Sequence, residues 1–302
     1  GLDYVVTGYE DNVSVGVGKV KYVGLEGGNF TYLDTLVATF NITPVNLEVA
    51  VFDTIADETY NLQAHRPDFV VRVGDVVLVR GVDYDENVIY ENNVNAGTAS
   101  LTITGKGDYT GTATTTFVIN PALLSEAKLN LDYDNDTEVY YTSFNFTRQE
   151  PEVVYVRAQD IATDLVDNVD YTYTYGENIN AGTGSVTFTG IGNYAGNVVA
   201  EFEIRCIKLN PDVFEYAYKS VIYDGTAKEP GVSKVEQEGH TLVEGVDFLV
   251  SYKDNVDAKS MASIILTGIG NFCDTVVGSF YIAPISLDIV ATLDQSRFEF
   301  DE

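Results

Sequence analysis

The stretch YENNVNAGTASLTITGKGDYTGTATTTFVI runs from Tyr90 to Ile119, and a close copy, YGENINAGTGSVTFTGIGNYAGNVVAEFEI, runs from Tyr175 to Ile204. Two more divergent copies begin at Tyr252 (YKDNVDAKSMASIILTGIGNFCDTVVGSFYI) and at Tyr9 (YEDNVSVGVGKVKYVGLEGGNFTYLDTLVATFNI). Self-similarity at a long period marks an array of small units, so the repeat governs every other reading. SLTITG and SVTFTG alternate apolar and polar residues, which puts Leu101 with Ile103, and Val186 with Phe188, on one buried strand face. The N-x-N-A-G-T segment reads as a turn, because Asn tolerates and Gly permits left-handed backbone. G-x-G-[N/D]-Y marks the next hairpin, its aromatic returning to the core. A dinucleotide-binding Gly-x-Gly needs a helix after it, and here a strand follows.

The register extends beyond these stretches. Asp3, Asp83, Asp170 and Asp247 each precede an aromatic, in LDY, VDY, VDY and VDF. Pro67, Pro151 and Pro230 each open an extended apolar run, and Asn12, Asn93, Asn178 and Asn255 each follow a Tyr by three residues. The copies close on Phe40/Ile42, Phe117/Ile119, Phe202/Ile204 and Phe280/Ile282. About seven short strands in a period of roughly 80 residues suit a two-sheet immunoglobulin-like sandwich. The expected fold is all-β, with tandem immunoglobulin-like β-sandwich domains in a linear array.

Composition agrees with strands. The 302 residues include 21 Tyr and 15 Phe but one Met and no Trp. Lys and Arg number 17 against 46 Asp and Glu, a net charge of −29. That balance excludes a generic affinity for nucleic acid, which needs clustered cations, and disfavours anionic membrane surfaces. No segment approaches the roughly 18 consecutive apolar residues of a membrane span, so no membrane insertion is expected. Gly1 to Glu10 shows neither the basic nor the apolar region of a signal peptide, so a leader was removed or the chain is an internal piece.

The register Y-x-x-N-x-N-A-G-T, then G-x-G-N-Y-x-G-T, then F-x-I resembles the MBG-type immunoglobulin-like repeats of bacterial cell-surface proteins. YDGTAKEPGVSKV (Tyr223 to Val235) with GHTLVEGVDFLVSY (Gly239 to Tyr252) resembles the front half of the same repeat. Essentially the whole chain is covered. The first copy departs by Val15 and Gly16, the last by Lys259 in place of the turn glycine. The resemblance implies an extracellular protein, on a bacterial cell surface or secreted, of stalk, spacer or adhesin type, with no catalytic residues to carry over. It divides the chain into a back half (1–42), three complete sandwiches (43–120, 121–205, 206–283) and the front strands of a further repeat (284–302). Pro44, Pro121 and Pro284 stiffen the short linkers, which predicts a semi-rigid rod.

Residues that carry chemistry are few. His65 and His240 occupy non-equivalent positions and read as solvated loop or turn residues, without the orienting partner that catalysis demands. Asp132, Asp134 and Asp136 alternate like part of a calcium loop, but Thr137 stands where an EF-hand turn requires Gly. Two readings stand: weak Ca²⁺ binding, or a solvated strand face with Leu129, Leu131 and Tyr133 turned inward. Tyr140 and Tyr141 are candidates for stacking on a sugar, although alternation turns one of them to the core. No other cofactor is expected, and the chain is read as not an enzyme. The leading function is a structural repeat protein forming a rod, stalk or filament. The alternative is an adhesin or glycan-binding module.

The two cysteines fall in one repeat. Cys206 occupies the linker position held elsewhere by proline, and Cys273 follows Phe272. First and last strands of immunoglobulin-like sandwiches commonly run parallel from one pole, which puts the pair within bridging reach; two unpaired thiols are the other reading. The ends are also out of phase. APISLDIVATLDQSRFEFDE (Ala283 to Glu302) matches a front half such as TPVNLEVAVFDTIADETY, whereas Gly1 to Ile42 is only a back half. Either the chain is excised from a longer array with flanking repeats, or Ser286 to Phe300 of one copy completes Gly1 to Ile42 of another, with Leu287, Ile289 and Ala291 facing the acceptor core.

Overall fold

A computed structural model describes residues 3–27 and 35–286. Every regular element of note is a strand, and helical structure among the described residues is limited to the 3₁₀ turns Leu47–Val49 and Pro211–Val213. Strands stop at Ile42, Asn120 and Arg205 and resume at Val45, Ala122 and Ile207, so no strand crosses Pro44, Pro121 or Cys206. The chain forms two compact units: residues 1–127, 155–172 and 188–198 make the first, and 128–154, 173–187 and 199–302 the second. The division passes through the third sequence copy.

In the first unit a four-stranded sheet runs in the order Glu58–Thr59, Thr112–Asn120, Gly97–Thr104, Ile89–Glu91. A three-stranded sheet of Val51–Phe52, Val71–Val73 and Val76–Val77 accompanies it. Leu101 and Ile103 from the larger sheet and Val71 from the smaller meet in one core with Leu47, Leu78, Tyr84, Val88 and Ala113. The other face of the Gly97–Thr104 strand carries Thr102, whose hydroxyl pairs with Thr114 across the strands at 2.9 Å. The second unit repeats this plan. Ser220–Ile222, Thr275–Ala283, Met261–Gly268 and Phe248–Lys253 form one sheet, and Phe214–Tyr216, Val232–Gln237 and His240–Thr241 the other. Val235 of the smaller sheet packs with Ile264, Leu266, Phe248 and Val276 of the larger. These are immunoglobulin-like β-sandwiches.

The recurring polar residues anchor the turns. Asp83, Asp170 and Asp247 accept the backbone N–H of Val79, Val166 and Val243 at 2.7, 2.9 and 2.8 Å. Asn93, Asn178 and Asn255 donate their amides to the carbonyls of His65, Gln149 and Lys228, two residues before each proline. The same three residues return a backbone N–H to the asparagine carbonyl. Tyr175 and Tyr252 then donate their hydroxyls to the carbonyls of Pro151 and Pro230. Two glycines of G-x-G have separate reasons. A Cβ on Gly105, Gly190 or Gly268 would stand under 3 Å from the returning backbone. Gly107, Gly192 and Gly270 hold φ of +67, +64 and +63°, which only glycine adopts at no steric cost.

The first copy is built differently. β1 (Tyr4–Glu10), β2 (Gly16–Gly24) and β3 (Leu36–Ile42) form an antiparallel sheet in that order. Its register sets Val6 against Tyr22, Tyr22 against Leu36, Val20 against Ala38 and Gly18 against Phe40, so one face is wholly apolar. The aligned residues elsewhere are core: Leu101, Val186 and Ile264 match Val20, and Phe117, Phe202 and Phe280 match Phe40, all at 3% exposure or less. Phe40 is 40% exposed and Leu36 58%. No described residue covers this face.

A cavity left in a packed core costs far more than truncation on an uncovered face. Leu101→Ala should therefore lower stability by about 2–5 kcal/mol, and the aligned Val20→Ala by less than about 1 kcal/mol. Urea denaturation of the two variants checks this; equal losses would mean that β1–β3 has a covering layer.

Candidate functional site: the joint between repeats

The G-x-G-[N/D] turn does more than close a hairpin. In the first unit, Asn193 accepts the backbone N–H of Ala96 on its side-chain oxygen at 2.8 Å, and its amide donates to Asn95 at 3.1 Å. Ala96 and Asn95 belong to the N-x-N-A-G turn of the preceding copy. The backbone carbonyl of Asn193 meanwhile accepts the N–H of Ala122, the first residue of its own repeat after the linker proline, at 3.0 Å. One residue thus ties the preceding turn, the linker and its own hairpin together.

The second unit shows the same construction. Asn271 accepts from Ala181 at 2.7 Å and donates to Asn180 at 3.1 Å, and its carbonyl accepts from Ile207 at 2.9 Å. A simpler version joins the first copy to the next, with Asp108 accepting from Val15 at 2.6 Å and, on its carbonyl, from Val45 at 3.0 Å. In all three places the segment after the linker pairs in parallel with the strand beginning at the following aromatic: Val45 with Tyr109, Ala122 with Tyr194, Ile207 with Phe272.

That aromatic reaches across the joint too. Tyr194 meets Tyr60 edge-on with ring centroids 5.5 Å apart, and Phe272 meets Phe144 at 6.3 Å. Tyr60 and Phe144 hold the same place in successive copies, and both are buried. Edge-to-face pairs of this kind are worth about 0.5–1.5 kcal/mol beyond their area. Burial, with Tyr60 adding to it, pushes the Tyr194 phenol up to about 12. The sequence signal for all of this was the asparagine itself. A turn after a left-handed glycine does not require Asn, so its return at Asn193 and Asn271 called for a second partner.

At the joint that lacks a proline, Cys206 and Cys273 are bridged, with Cα atoms 5.8 Å apart. The bridge fastens the linker to the hairpin that carries Asn271. It closes a loop of 67 residues, worth about 4 kcal/mol by chain entropy.

Of the other residues singled out in the sequence, Asp134, Tyr141 and His240 are engaged in structural contacts. Asp134 is paired with Arg205 at 2.6 Å and accepts the N–H groups of Asp136 and Thr137. The Arg205 hydrogen bond holds its carboxyl below the usual range. Asp132 lies exposed on the strand Asp132–Asp134 and Asp136 in the turn after it, and no three acidic, His or Cys side chains among the described residues gather as metal ligands. Tyr133 corrects the expected alternation, since it is exposed while Asp134 turns partly inward. The strand breaks after Leu129 and restarts at Asp132, which resets the phase. Tyr133 and Tyr140 form an exposed ring pair at 4.9 Å, and Tyr141 lies beneath the Arg205 guanidinium.

His65 is likewise a correction, being buried rather than solvated. It shares its position with Gln149 and Lys228, which reach back to Asn145 and Asp224 four residues earlier. The imidazole is too short and rigid for that, so Nδ1 sits 3.4 Å from Glu58 while Nε2 is buried with no hydrogen-bond partner among the described residues. His240 is exposed, as expected, and stacks on Phe146. Leu287, Ile289 and Ala291 lie outside the described residues.

No protein-family model and no curated protein matches the chain. Among solved structures, the protocadherin gammaB7 EC3-6 cis-dimer matches at 10% identity and a TM-score of 0.25, over 94% of this chain and 93% of that one. The protocadherin gammaB4 extracellular domain matches at 10% identity and 0.23, over 94% and 61%. Scores this low assign neither ancestry nor function.

Asn193→Ala removes both side-chain bonds of its joint and should cost about 1–3 kcal/mol. Amide exchange at Ala96 should quicken, while Ala122, held by the backbone carbonyl, stays protected; unchanged exchange at Ala96 would refute the assignment. Alkali provides a second check. A phenol whose folded pKa is raised keeps its full contribution below its ordinary value of 10.0 and loses it as pH climbs towards about 12. The first unit should therefore destabilise across that window, and Tyr194→Phe should remove that part of the loss, as read by thermal melting at stepped pH.

Proposed function

We propose that this chain is an extracellular structural repeat protein whose copies join head to tail by β-strand complementation. The apolar face of β1–β3 carries the reading. Its residues align with the most deeply buried positions of the complete sandwiches, yet nothing among the described residues covers them. A sheet with a bare core face and a free edge invites strands from elsewhere. Residues 284–302 repeat the first of the front segments, 44–62, which in the first complete repeat packs Leu47, Ala50 and Phe52 on this face and pairs Glu58–Thr59 with the edge of the larger sheet. In this reading the sandwiches are 43–120, 121–205 and 206–283, and a fourth is completed between copies.

The packing of the first complete repeat refines which side chains enter the acceptor. There the 3₁₀ turn Leu47–Val49 interrupts strict alternation. Leu47 is fully buried and Ala50 and Phe52 pack on the core, while Val49 and Val51 are exposed. The same phase on the tail sends Leu287, Val290 and Thr292 inward and leaves Ile289 and Ala291 outside. The disulfide supports an oxidising, extracellular setting, and the resemblance to MBG-type repeats supports a bacterial surface. The reading assigns no catalysis.

Deleting residues 287–302 tests the proposal by sedimentation. The intact chain should form oligomers that grow with concentration, and the truncated chain should remain monomeric. Polymerisation of the truncated chain, or a monomeric intact chain at the highest attainable concentration, would falsify strand complementation.

A further inference from the structure

We infer that Tyr223, Asp257 and Ala258 form the open half of one more joint, and that a second copy of this chain occupies it. The inference rests on the head-to-tail reading above and identifies the contact that sets its register.

In each of the three joints described, the preceding copy offers the same backbone group: the N–H of Val15, Ala96 or Ala181. Ala258 is the equivalent residue of the last copy, three after Asn255 as Ala96 is three after Asn93. The clamp beneath it is intact, since Asn255 donates to the Lys228 carbonyl at 3.0 Å and Lys228 returns its N–H at 2.8 Å. Among the described residues none accepts the Ala258 N–H. Asp257 stands where Asn95 and Asn180 take the amide hydrogen of the incoming asparagine, and it is exposed. A carboxylate there makes a stronger acceptor than an amide oxygen does.

An independent observation comes from the aromatic pair. Tyr60 and Phe144 are buried beneath Tyr194 and Phe272 of the following copies. Tyr223 is their counterpart, its N–H bonded to Ala283 as Tyr60 is to Asn120 and Phe144 to Arg205. It is only half-buried, and it packs with Ala258 against the same small cluster of Ala262, Phe280 and Ile282. Both halves of the joint, polar and aromatic, are thus present without a counterpart among the described residues. The turn of the last copy also carries an extra residue at Lys259, with φ of +64°. The insertion lies after Ala258, and Ser260 ties it back by donating to the Asp257 carbonyl at 2.6 Å.

The occupant must present an asparagine followed by an aromatic after a glycine pair. In sequence the first copy carries them as Gly27-Gly28-Asn29-Phe30, of which Gly28 to Phe30 lie outside the described residues. If residues 284–302 of one copy complete the first repeat of the next, that repeat follows Tyr223 and Asp257 in the array just as the copy bearing Asn271 follows Phe144 and Asn180. Strand complementation and this joint therefore demand the same neighbour.

A double-mutant cycle on the full chain tests the pairing. Asp257→Ala should weaken head-to-tail association about tenfold in sedimentation equilibrium, the scale of one charge-assisted hydrogen bond, and Asn29→Ala should weaken it further, because it also loses the bond from the Ala258 N–H. The double variant should lose little more than Asn29→Ala alone, because that change already removes the partner of Asp257. Additive losses would overturn the pairing. Unchanged association in both single variants, with the 287–302 deletion still monomeric, would overturn the joint and leave strand complementation standing. An intact chain that never associates would remove both.

Discussion

A single asparagine that faces two ways organises this molecule. The side chain of Asn193 or Asn271 satisfies a turn of the copy before it, while the backbone carbonyl of the same residue fixes the first strand of its own copy. An N–H group at a turn must find some partner, and water would serve. The use of a neighbouring repeat's side chain converts an ordinary turn into a registered joint. The aromatic that follows adds apolar contact at the same point, so hydrogen bonds give direction and the ring pair excludes water.

Within each repeat the polar positions serve closure rather than chemistry. The aspartate of V-D-[Y/F] caps its turn, the asparagine of Y-x-x-N clamps the segment before the proline, and the hydroxyls of Tyr175 and Tyr252 donate to proline carbonyls. Proline at the linker fixes φ and removes a donor that would otherwise need a partner. Where the third joint has Cys206 instead, the bridge to Cys273 restores by covalent constraint what the missing ring would have imposed. Among the described residues, substitution at His65 leaves a buried ring nitrogen unpaired, at a position where Gln149 and Lys228 reach a turn acceptor.

The excess of acidic side chains works against association of copies, since like charge repels over about 8–10 Å at physiological salt. Contacts that overcome such repulsion must be short-ranged. In the proposed array both contacts would be of that kind: the face of β1–β3 that no described residue covers is apolar, and the half-joint at Tyr223, Asp257 and Ala258 would supply a pair of hydrogen bonds beside a ring.

Period-two alternation and recurring turn residues determined the strand content, the sandwich and the repeat register, because these depend on local sterics and on which face of a strand meets water. Alternation failed wherever a strand was interrupted. Tyr133 turned outward after the break at Leu129, and Val49 and Val51 lost the core to Ala50 and Phe52 across a 3₁₀ turn. Only tertiary structure decided that Asn193 and Asn271 reach the preceding copy, that Cys206 and Cys273 bridge, and that His65 is buried. Each depends on which segments lie side by side when residues tens of positions apart are brought together, and a one-dimensional pattern of polarity does not carry that distance.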